Sequence, residues 1–171
     1  MNNPFIDFTG QTCLITGAGS PTGIGFSAAR ILGENGGRIA LIATTDRIYQ
    51  RAEELVSMGI EARGYIADLM DRAQVAAVVK QIADDFGGID VLVNNAGVAG
   101  QALFQDVDDA LWDRYFGVNL QGARNTVQAV LPAMLHEKRG SIVNISSIWG
   151  LRGASCEVTY SCTKAGIIAL T

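Results

Sequence analysis

Apolar stretches with the character of buried strands alternate with amphipathic stretches of helical periodicity along most of the chain. Strands are predicted at residues 12–16, 38–43, 62–66, 90–93 and 141–145. Helices are predicted between them at residues 23–34, 47–58, 72–86 and 110–135. Such regular alternation predicts a parallel sheet with helices packed on both faces. We therefore expect an α/β fold of three layers, in a single domain over residues 1–171.

The composition narrows the classes of function without identifying one. The chain has 171 residues, of which 49% are hydrophobic, and a formal net charge of −4 with no run of basic residues. We therefore expect neither nucleic acid nor an anionic membrane as a partner. The three cysteines and the single histidine lack metal-ligand spacing, so no metal is expected. Because no signal segment or long apolar run is present, the predicted location is the cytoplasm.

A glycine-rich turn follows the first predicted strand and leads into a helix. Residues 16–25 read Thr-Gly-Ala-Gly-Ser-Pro-Thr-Gly-Ile-Gly. Glycines allow the backbone to approach a pyrophosphate, and the N-terminus of the next helix offers free N–H groups and a positive dipole. The strict Gly-x-Gly-x-x-Gly pattern fails, because Thr22 stands where the third glycine belongs. The turn favours a dinucleotide site of the doubly wound (Rossmann) type, and a tight turn without a ligand is the alternative.

Tyr160 and Lys164 are four residues apart in a segment that we expect to be helical. This spacing puts both side chains on one helix face. An ammonium at about 4 Å, in an effective dielectric of about 20, favours the phenolate by about 4 kcal/mol. Tyr160 then becomes a candidate general acid or base near neutral pH. The alternative is a surface pair in which the lysine stem covers the ring.

Taken in order, these motifs resemble the short-chain dehydrogenase/reductase family, and 3-oxoacyl-carrier-protein reductases most within it. The family's Asn-Asn-Ala-Gly after the fourth strand is similar to residues 94–97, and Ser147 lies thirteen residues before Tyr160, as in the family. The resemblance covers essentially the whole chain. The turn departs from the family pattern, because five residues separate Gly17 from Gly23 and one of them, Pro21, has no N–H to donate.

The resemblance implies four catalytic residues, Asn119, Ser147, Tyr160 and Lys164. Tyr160 donates the proton and Ser147 binds the carbonyl oxygen. Lys164 makes the phenol of Tyr160 more acidic and holds the nicotinamide ribose. Asn119 orders a water beside Lys164. Ser146 is the alternative to Ser147 as the catalytic serine. The other interpretation of both serines is a strand end with hydroxyl side chains. For Asn119, the alternative is a position on the protein surface.

The resemblance also implies a set of cofactor-binding residues. They are Gly17, Ser20, Thr22, Gly23, Ile24, Thr44, Arg47, Asp68, Leu69, Asn95, Ala96, Gly97, Tyr160 and Lys164. Asp68 matches the family's adenine-contacting aspartate, and a helix cap or solvated turn is its alternative. Asn94 and Asn95 have a purely structural alternative, in which their amides bind neighbouring backbone.

The residues after the second strand bear on the choice of cofactor. Residues 43–47 read Ala-Thr-Thr-Asp-Arg, with no acidic residue at the strand end itself. Small hydroxyl side chains leave room for a 2′-phosphate, and Arg47 can pair with it, so we predict NADP. NAD is the alternative, because the carboxylate of Asp46 could bind the ribose 2′-hydroxyl and repel a 2′-phosphate. The other interpretation of Asp46 is the N-terminal cap of the next helix.

The implied function is reduction of a ketone, such as a 3-oxoacyl thioester, to a secondary alcohol. The alternatives are an NAD-dependent alcohol dehydrogenase, a nucleotide-binding regulatory or scaffolding protein without turnover, and a sugar-nucleotide epimerase or dehydratase.

The family also implies a homo-oligomer, dimer or tetramer, built on helices 110–135 and 158–171. The fifth strand and the start of the next helix end the chain, so we expect a truncated version of the family fold. Residues 148–153 are expected to border the substrate, with 97–103 opposite, and an exposed, solvated position is the alternative for Arg152.

Overall fold

The computed structural model describes residues 6–171 and contains one sheet of five parallel strands. The strands are β1 Thr12–Thr16, β2 Arg38–Ala43, β3 Ala62–Ile66, β4 Val91–Asn94 and β5 Ser141–Asn144. The α-helices are α1 Ile24–Glu34, α2 Arg47–Ser57, α3 Arg72–Phe86, α4 Asp109–Tyr115, α5 Gly122–Glu137 and α6 Val158–Leu170. The strand order is β3-β2-β1-β4-β5. The predicted doubly wound parallel sheet of Rossmann type is confirmed.

The central strands β1, β2 and β4 are buried on both faces, which gives the molecule its three layers. Leu14 of β1 belongs to one apolar cluster, formed with side chains of α3 and α5. Its neighbours Cys13 and Ile15 belong to a second cluster, formed with side chains of α1 and α2. Successive strand residues point to opposite faces, so the unbroken apolar run of β1 supplies both cores.

The predicted helix at residues 110–135 is wrong in one respect, because it is interrupted. The helical run starts at Asp109 and ends at Glu137, but the turn Phe116–Gln121 is π-helical. A π turn inserts one extra residue into a helix and is frequently found at functional sites. Hydrophobic periodicity did not reveal it, because a single turn is too short for its period to be distinguished from that of an α-helix.

The sheet reverses its strand order between β1 and β4, and this is where a doubly wound fold opens a crevice. Gly17, the first residue after β1, has a φ of +71°. A β-carbon built on Gly17 would lie 2.5 Å from the Cα of Ala96, in the loop after β4. Glycine is therefore required at residue 17 for its backbone conformation and for the approach of the two loops.

The remaining elements end as their sequences indicate. Gly87 closes α3 in the left-handed conformation, with a φ of +81°.

β5 is the edge strand on its side of the sheet, and Val143 at its centre is 47% exposed. None of the helices described between residues 6 and 171 has the length and apolar character needed to cross a membrane.

Replacement of Gly17 by alanine is predicted to cost more stability than the same change at Gly59. Gly59 has a similar φ of +83°, but a β-carbon there would have no atom within 4 Å, so only the backbone strain applies. We expect Gly17→Ala to lower the free energy of unfolding by about 1–3 kcal/mol more than Gly59→Ala. Urea unfolding of both variants measures the difference, and equal losses would contradict the close approach.

Candidate active site

A cleft of about 590 Å³ opens at the carboxyl ends of the strands, at the reversal of strand order. Nine of the predicted cofactor residues line it: Gly17, Gly23, Ile24, Thr44, Asp68, Leu69, Asn95, Ala96 and Gly97. They come from the ends of four strands and from the start of α1. The fold therefore brings together residues that lie up to 80 positions apart in the sequence.

Three predicted cofactor residues, Ser20, Thr22 and Arg47, are exposed and do not line the cleft. The backbone carbonyl of Ser20 accepts a hydrogen bond from the N–H of Gly23 at 3.3 Å, which turns the chain into α1. The Nε of Arg47 donates to the Oγ1 of Thr45 at 3.4 Å. Arg47 thus begins α2 directly beyond the cleft residue Thr44.

The start of α1 is suited to an anionic ligand. Gly23 is the N-cap of the helix and makes no side-chain capping bond, so no side chain of the cap competes for the first N–H groups. A β-carbon on Gly25 would lie 2.5 Å from the Nδ2 of Asn95 and 3.0 Å from the carbonyl oxygen of Gly17. The turn is therefore packed directly against the loop after β4. These features fit the pyrophosphate of a dinucleotide.

The loops after β1 and β4 are held together by polar side chains. The Oγ1 of Thr16 accepts hydrogen bonds from the N–H groups of Asn95 and Ala96, both at 3.1 Å. The Nδ2 of Asn95 donates in return to the carbonyl oxygens of Thr16 and Gly17, also at 3.1 Å. Both amide donors of Asn95 are thereby used within the protein, as the structural interpretation expected. Asn95 lines the cleft with its remaining surface.

Asp68 lies in the cleft and is not a helix cap. Its Oδ1 accepts a hydrogen bond from the N–H of Met70 at 2.9 Å, which forms a local turn. The cap of α3 is Asp71, which binds the N–H groups of Ala73 and Gln74. The helix-cap alternative for Asp68 is therefore wrong. Asp46 stands at the N-cap position of α2, but its side chain makes no capping bond.

A second cavity, of about 160 Å³, contains Tyr160 and Lys164. It shares four lining residues with the cleft at the carboxyl ends of the strands: Ile24, Asn95, Gly97 and Val98. Because the two cavities have a common wall, a ligand that extends from the cleft along this wall reaches the tyrosine. The spacing of Tyr160 and Lys164 does place both side chains on one face of α6, as the sequence predicts.

Lys164 is buried, with 5% of its surface exposed. Its Nζ donates to the carbonyl oxygen of Ile145 at 2.7 Å and lies 5.7 Å from the centre of the Tyr160 ring. Burial lowers the pKa of the Lys164 ammonium below the ordinary value, because the charged form loses hydration. The backbone directly after β5 therefore fixes the ammonium beside the tyrosine.

Asn119 lies in the π-helical turn and is 1% exposed, so the surface alternative is wrong. Its Oδ1 accepts from the N–H of Val98 at 2.7 Å, and its Nδ2 donates to the carbonyl oxygen of the same residue at 2.9 Å. The Nδ2 also donates to the Oγ1 of Thr163 at 3.1 Å, and Thr163 donates to the carbonyl oxygen of Tyr160 at 2.8 Å. Asn119 therefore joins the loop after β4 to the helix that carries Tyr160.

The two candidate serines have different hydrogen bonds. The hydroxyl of Ser146 donates to the carbonyl oxygen of Lys164 at 2.7 Å. The Oγ of Ser147 accepts from the N–H of Trp149 at 3.2 Å, at the start of the 3₁₀ turn Ile148–Gly150. The hydroxyl hydrogen of Ser147 is thus left to donate elsewhere. Ser146 lines the cavity of Tyr160, whereas Ser147 lies just outside its lining.

Of the two segments expected to border the substrate, one lines the cavity of Tyr160 and the other does not. Ala99 lines the cavity of Tyr160, as predicted for residues 97–103, whereas none of residues 148–153 does. The two loops are tied together, because the N–H of Ala102 donates to the carbonyl oxygen of Cys156 at 2.8 Å. Arg152 is exposed, in agreement with the solvated alternative.

The sequence patterns missed several residues that line the cleft: Ile42, Ala43, Ala67, Met70, Val98, Arg114 and Val118. Ala43 and Ala67 stand at or just after strand ends, and the rule that ligands bind at carboxyl ends of strands would have found them. Arg114 and Val118 lie on the interrupted helix α4 and its π turn. No sequence signal distinguishes Arg114 from other exposed arginines.

Comparisons with known proteins agree with this geometry. A family model described as short chain dehydrogenase matches residues 11–171. A 3-oxoacyl-[acyl-carrier-protein] reductase, FabG of Thermotoga maritima, is 37% identical in an alignment 169 residues long, and the match covers 95% of this chain and 65% of the relative. The oxidoreductase UcpA of Escherichia coli K12 is 40% identical over 164 residues, which are 95% of this chain and 62% of UcpA.

A solved structure, NAD⁺-bound xylitol dehydrogenase, superposes with a TM-score of 0.92 at 35% identity and covers 97% of this chain and 64% of that one. The chain thus spans slightly less than two thirds of the length of these relatives. The family match extends over the cleft and the cavity of Tyr160 alike. This chain therefore belongs to the short-chain dehydrogenase family.

Proposed function

We propose that the protein is an NADP-dependent oxidoreductase that reduces a ketone to a secondary alcohol. One observation carries this proposal: Tyr160 and Lys164 line a cavity that shares a wall with the nucleotide cleft. A proton donor is thereby placed next to the end of a dinucleotide site, which is the arrangement that carbonyl reduction requires. The bound nicotinamide supplies the hydride in this reaction.

Tyr160 gives its phenolic proton to the carbonyl oxygen as negative charge develops there. Ser147, whose hydroxyl hydrogen is not used by the bond with Trp149, is the proposed second donor to the same oxygen. The ammonium of Lys164, held by Ile145, stabilises the negative charge left on Tyr160. Asn119 keeps the helix of Tyr160 in place and orders a water near Lys164, since its Oδ1 retains one acceptor position.

Residues of the cleft would hold the cofactor along its length. The start of α1 and Gly17 would hold the pyrophosphate and Asp68 would accept from the adenine amino group. Lys164, in the adjoining cavity, would hold the nicotinamide ribose. NADP is favoured because the cleft contains Thr44 and no carboxylate at the end of β2, with Arg47 directly beyond. The exposed carboxylate of Asp46 and the NAD⁺-bound relative support NAD as the alternative.

A 3-oxoacyl thioester is our proposed substrate class, supported by the name of the Thermotoga maritima relative. The xylitol dehydrogenase similarity supports a simple alcohol as the alternative. A second candidate function is nucleotide binding without turnover, in a regulatory or scaffolding protein. The position of Ser147 outside the cavity favours that candidate.

We also propose that the protein assembles as a homo-oligomer, and that it acts in the cytoplasm. The assembly rests on apolar side chains exposed on the two helices that the family resemblance implicates. Leu131 and Leu135 of α5 are 38% and 67% exposed, and Ile168 of α6 is 42% exposed. Burial of these side chains against a second copy would remove apolar surface from water.

Replacement of Tyr160 by phenylalanine tests the proposed reaction. We expect Tyr160→Phe to lower NADPH oxidation with 3-oxoacyl thioesters and simple ketones by about a hundredfold or more, because the proton donor is lost. Tyr49→Phe removes a hydroxyl from an exposed tyrosine of α2 and is the matched control. NADPH binding, followed by fluorescence, is expected to survive in both variants. Unchanged turnover in Tyr160→Phe would refute the mechanism, and binding without turnover in the wild type would favour the second candidate.

Replacement of Arg47 by alanine tests the choice of cofactor. We expect Arg47→Ala to weaken NADP⁺ binding about three- to tenfold, through loss of an exposed charge on the 2′-phosphate, and to leave NAD⁺ binding unchanged. Calorimetric titration of both dinucleotides measures the two affinities. Equal effects on NAD⁺ and NADP⁺ would count against a 2′-phosphate contact by Arg47.

The buried charge of Lys164 predicts a pH dependence of stability. Its folded-state pKa is lowered, so the unfolded chain binds the proton more tightly and the native state is favoured as pH rises toward the unfolded value of about 10.4. We expect wild type to gain stability relative to Lys164→Met between about pH 7 and pH 10. Urea unfolding at both pH values measures it, with Lys138→Met as the exposed control. A loss of relative stability over this range would show that the pKa is raised instead.

A further inference from the structure

Arg114 differs in charge from every other residue of the nucleotide cleft. Within the described part of the chain, it is the one cation that lines the cleft, and Asp68 is the one carboxylate. It lies in the last turn of α4 and is exposed. The protein as a whole is acidic, with a net charge of −4, so an arginine that faces this cleft is not part of a general basic surface.

The guanidinium of Arg114 has no protein partner among residues 6–171. Four other arginines, Arg30, Arg51, Arg63 and Arg139, each form an ion pair with a carboxylate. No described carboxylate lies within 4 Å of Arg114, and no hydrogen-bond acceptor fixes its side chain. Its donors and its planar face are therefore available to a ligand in the cleft.

Arg114 borders the cleft but does not line the cavity of Tyr160 and Lys164. The turn after Asp68 packs against the same interrupted helix, because a β-carbon on Gly117 would lie 2.4 Å from the Cε of Met70. Arg114 and the turn containing Asp68 and Met70 thus border the same end of the cleft.

The chemistry of this end suits a flat, nitrogen-rich aromatic ring. Asp68 offers a carboxylate oxygen to an amino group, while Ala67, Leu69 and Val118 supply apolar surface. A guanidinium is planar and stacks on aromatic rings, which an ammonium does less well. We propose that Arg114 stacks on the adenine base of the dinucleotide and contributes to the affinity for NADP and NAD alike.

This inference rests on the proposed function, because it assumes that the cleft takes an adenine dinucleotide. It adds a binding residue that faces the base and not the 2′-phosphate. The contact therefore raises overall affinity without selecting between the two cofactors. Arg47, beyond the other side of the cleft, is the residue to which we assign that selection.

Calorimetric titration with NADP⁺, NAD⁺ and ADP tests the contact without any requirement for turnover. We expect Arg114→Ala to bind all three ligands about three- to tenfold more weakly than wild type, which corresponds to loss of one stacking interaction. Arg124→Ala is the matched control, since Arg124 is exposed on α5, contacts Gln121 and does not line the cleft. The control removes the same charge from the protein. Equal losses of ligand affinity in both variants would indicate a general electrostatic effect and overturn the proposal.

A second variant separates stacking from charge. Arg114→Lys retains the charge but lacks the planar group, so we expect it to remain weaker than wild type for all three ligands. Full recovery of NADP⁺ affinity in Arg114→Lys, with NAD⁺ unaffected throughout, would place a phosphate at this position and overturn the proposal. Circular dichroism of each variant verifies that the fold is retained.

The outcomes distinguish this inference from the proposed function. Wild type that binds NADP⁺ together with an Arg114→Ala variant of equal affinity would overturn the adenine contact alone. Wild type that binds none of the three ligands would overturn both. Reduced affinity of Arg114→Ala for all three ligands, with Arg124→Ala unchanged, would support the contact even if Tyr160→Phe showed no loss of turnover.

Discussion

The direct approach of two loop backbones, after β1 and after β4, is the constraint on which the rest of the site depends. The strand order reverses there, so these two loops form the floor of the cleft and one wall of the cavity that holds Tyr160. Gly17 permits the approach, and Thr16 and Asn95 hold it with reciprocal hydrogen bonds. Any side chain at residue 17 would separate the loops and change both cavities together.

Side-chain amides continue the hydrogen bonding of the sheet beyond the ends of β4 and β5. Asn119 binds both polar groups of Val98, as a neighbouring strand would. Asn94 donates to Asn144, which joins the ends of β4 and β5. Buried amides are costly unless their hydrogen bonds are made, and here they are made with backbone or with one another. The cost of irregular backbone at the site is thus offset by satisfied polar side chains.

The sheet is easier to predict from the sequence than the candidate site is. Apolar runs and helical periodicity predicted all five strands and the sites of the helices, and the pattern is strongest in β1, β2 and β4, which are buried on both faces. The π turn at Phe116–Gln121 was missed, since a single turn is too short to be distinguished from an α-helix by hydrophobic periodicity. The membership of Arg114 in the cleft was missed for another reason: it depends on how α4 lies over the turn after β3, which only tertiary packing decides.

The proposed catalytic pair, Tyr160 and Lys164, shows how packing fixes an arrangement that the spacing alone only suggests. Helical spacing brings Lys164 to the face of Tyr160, but its Nζ is fixed by the carbonyl oxygen of Ile145 at the end of β5. Burial of the ammonium opposes folding, because the charged form loses hydration. Stability is therefore lowered at the point where the proposed reaction would use a positive charge, and the backbone just after β5 holds that charge in place.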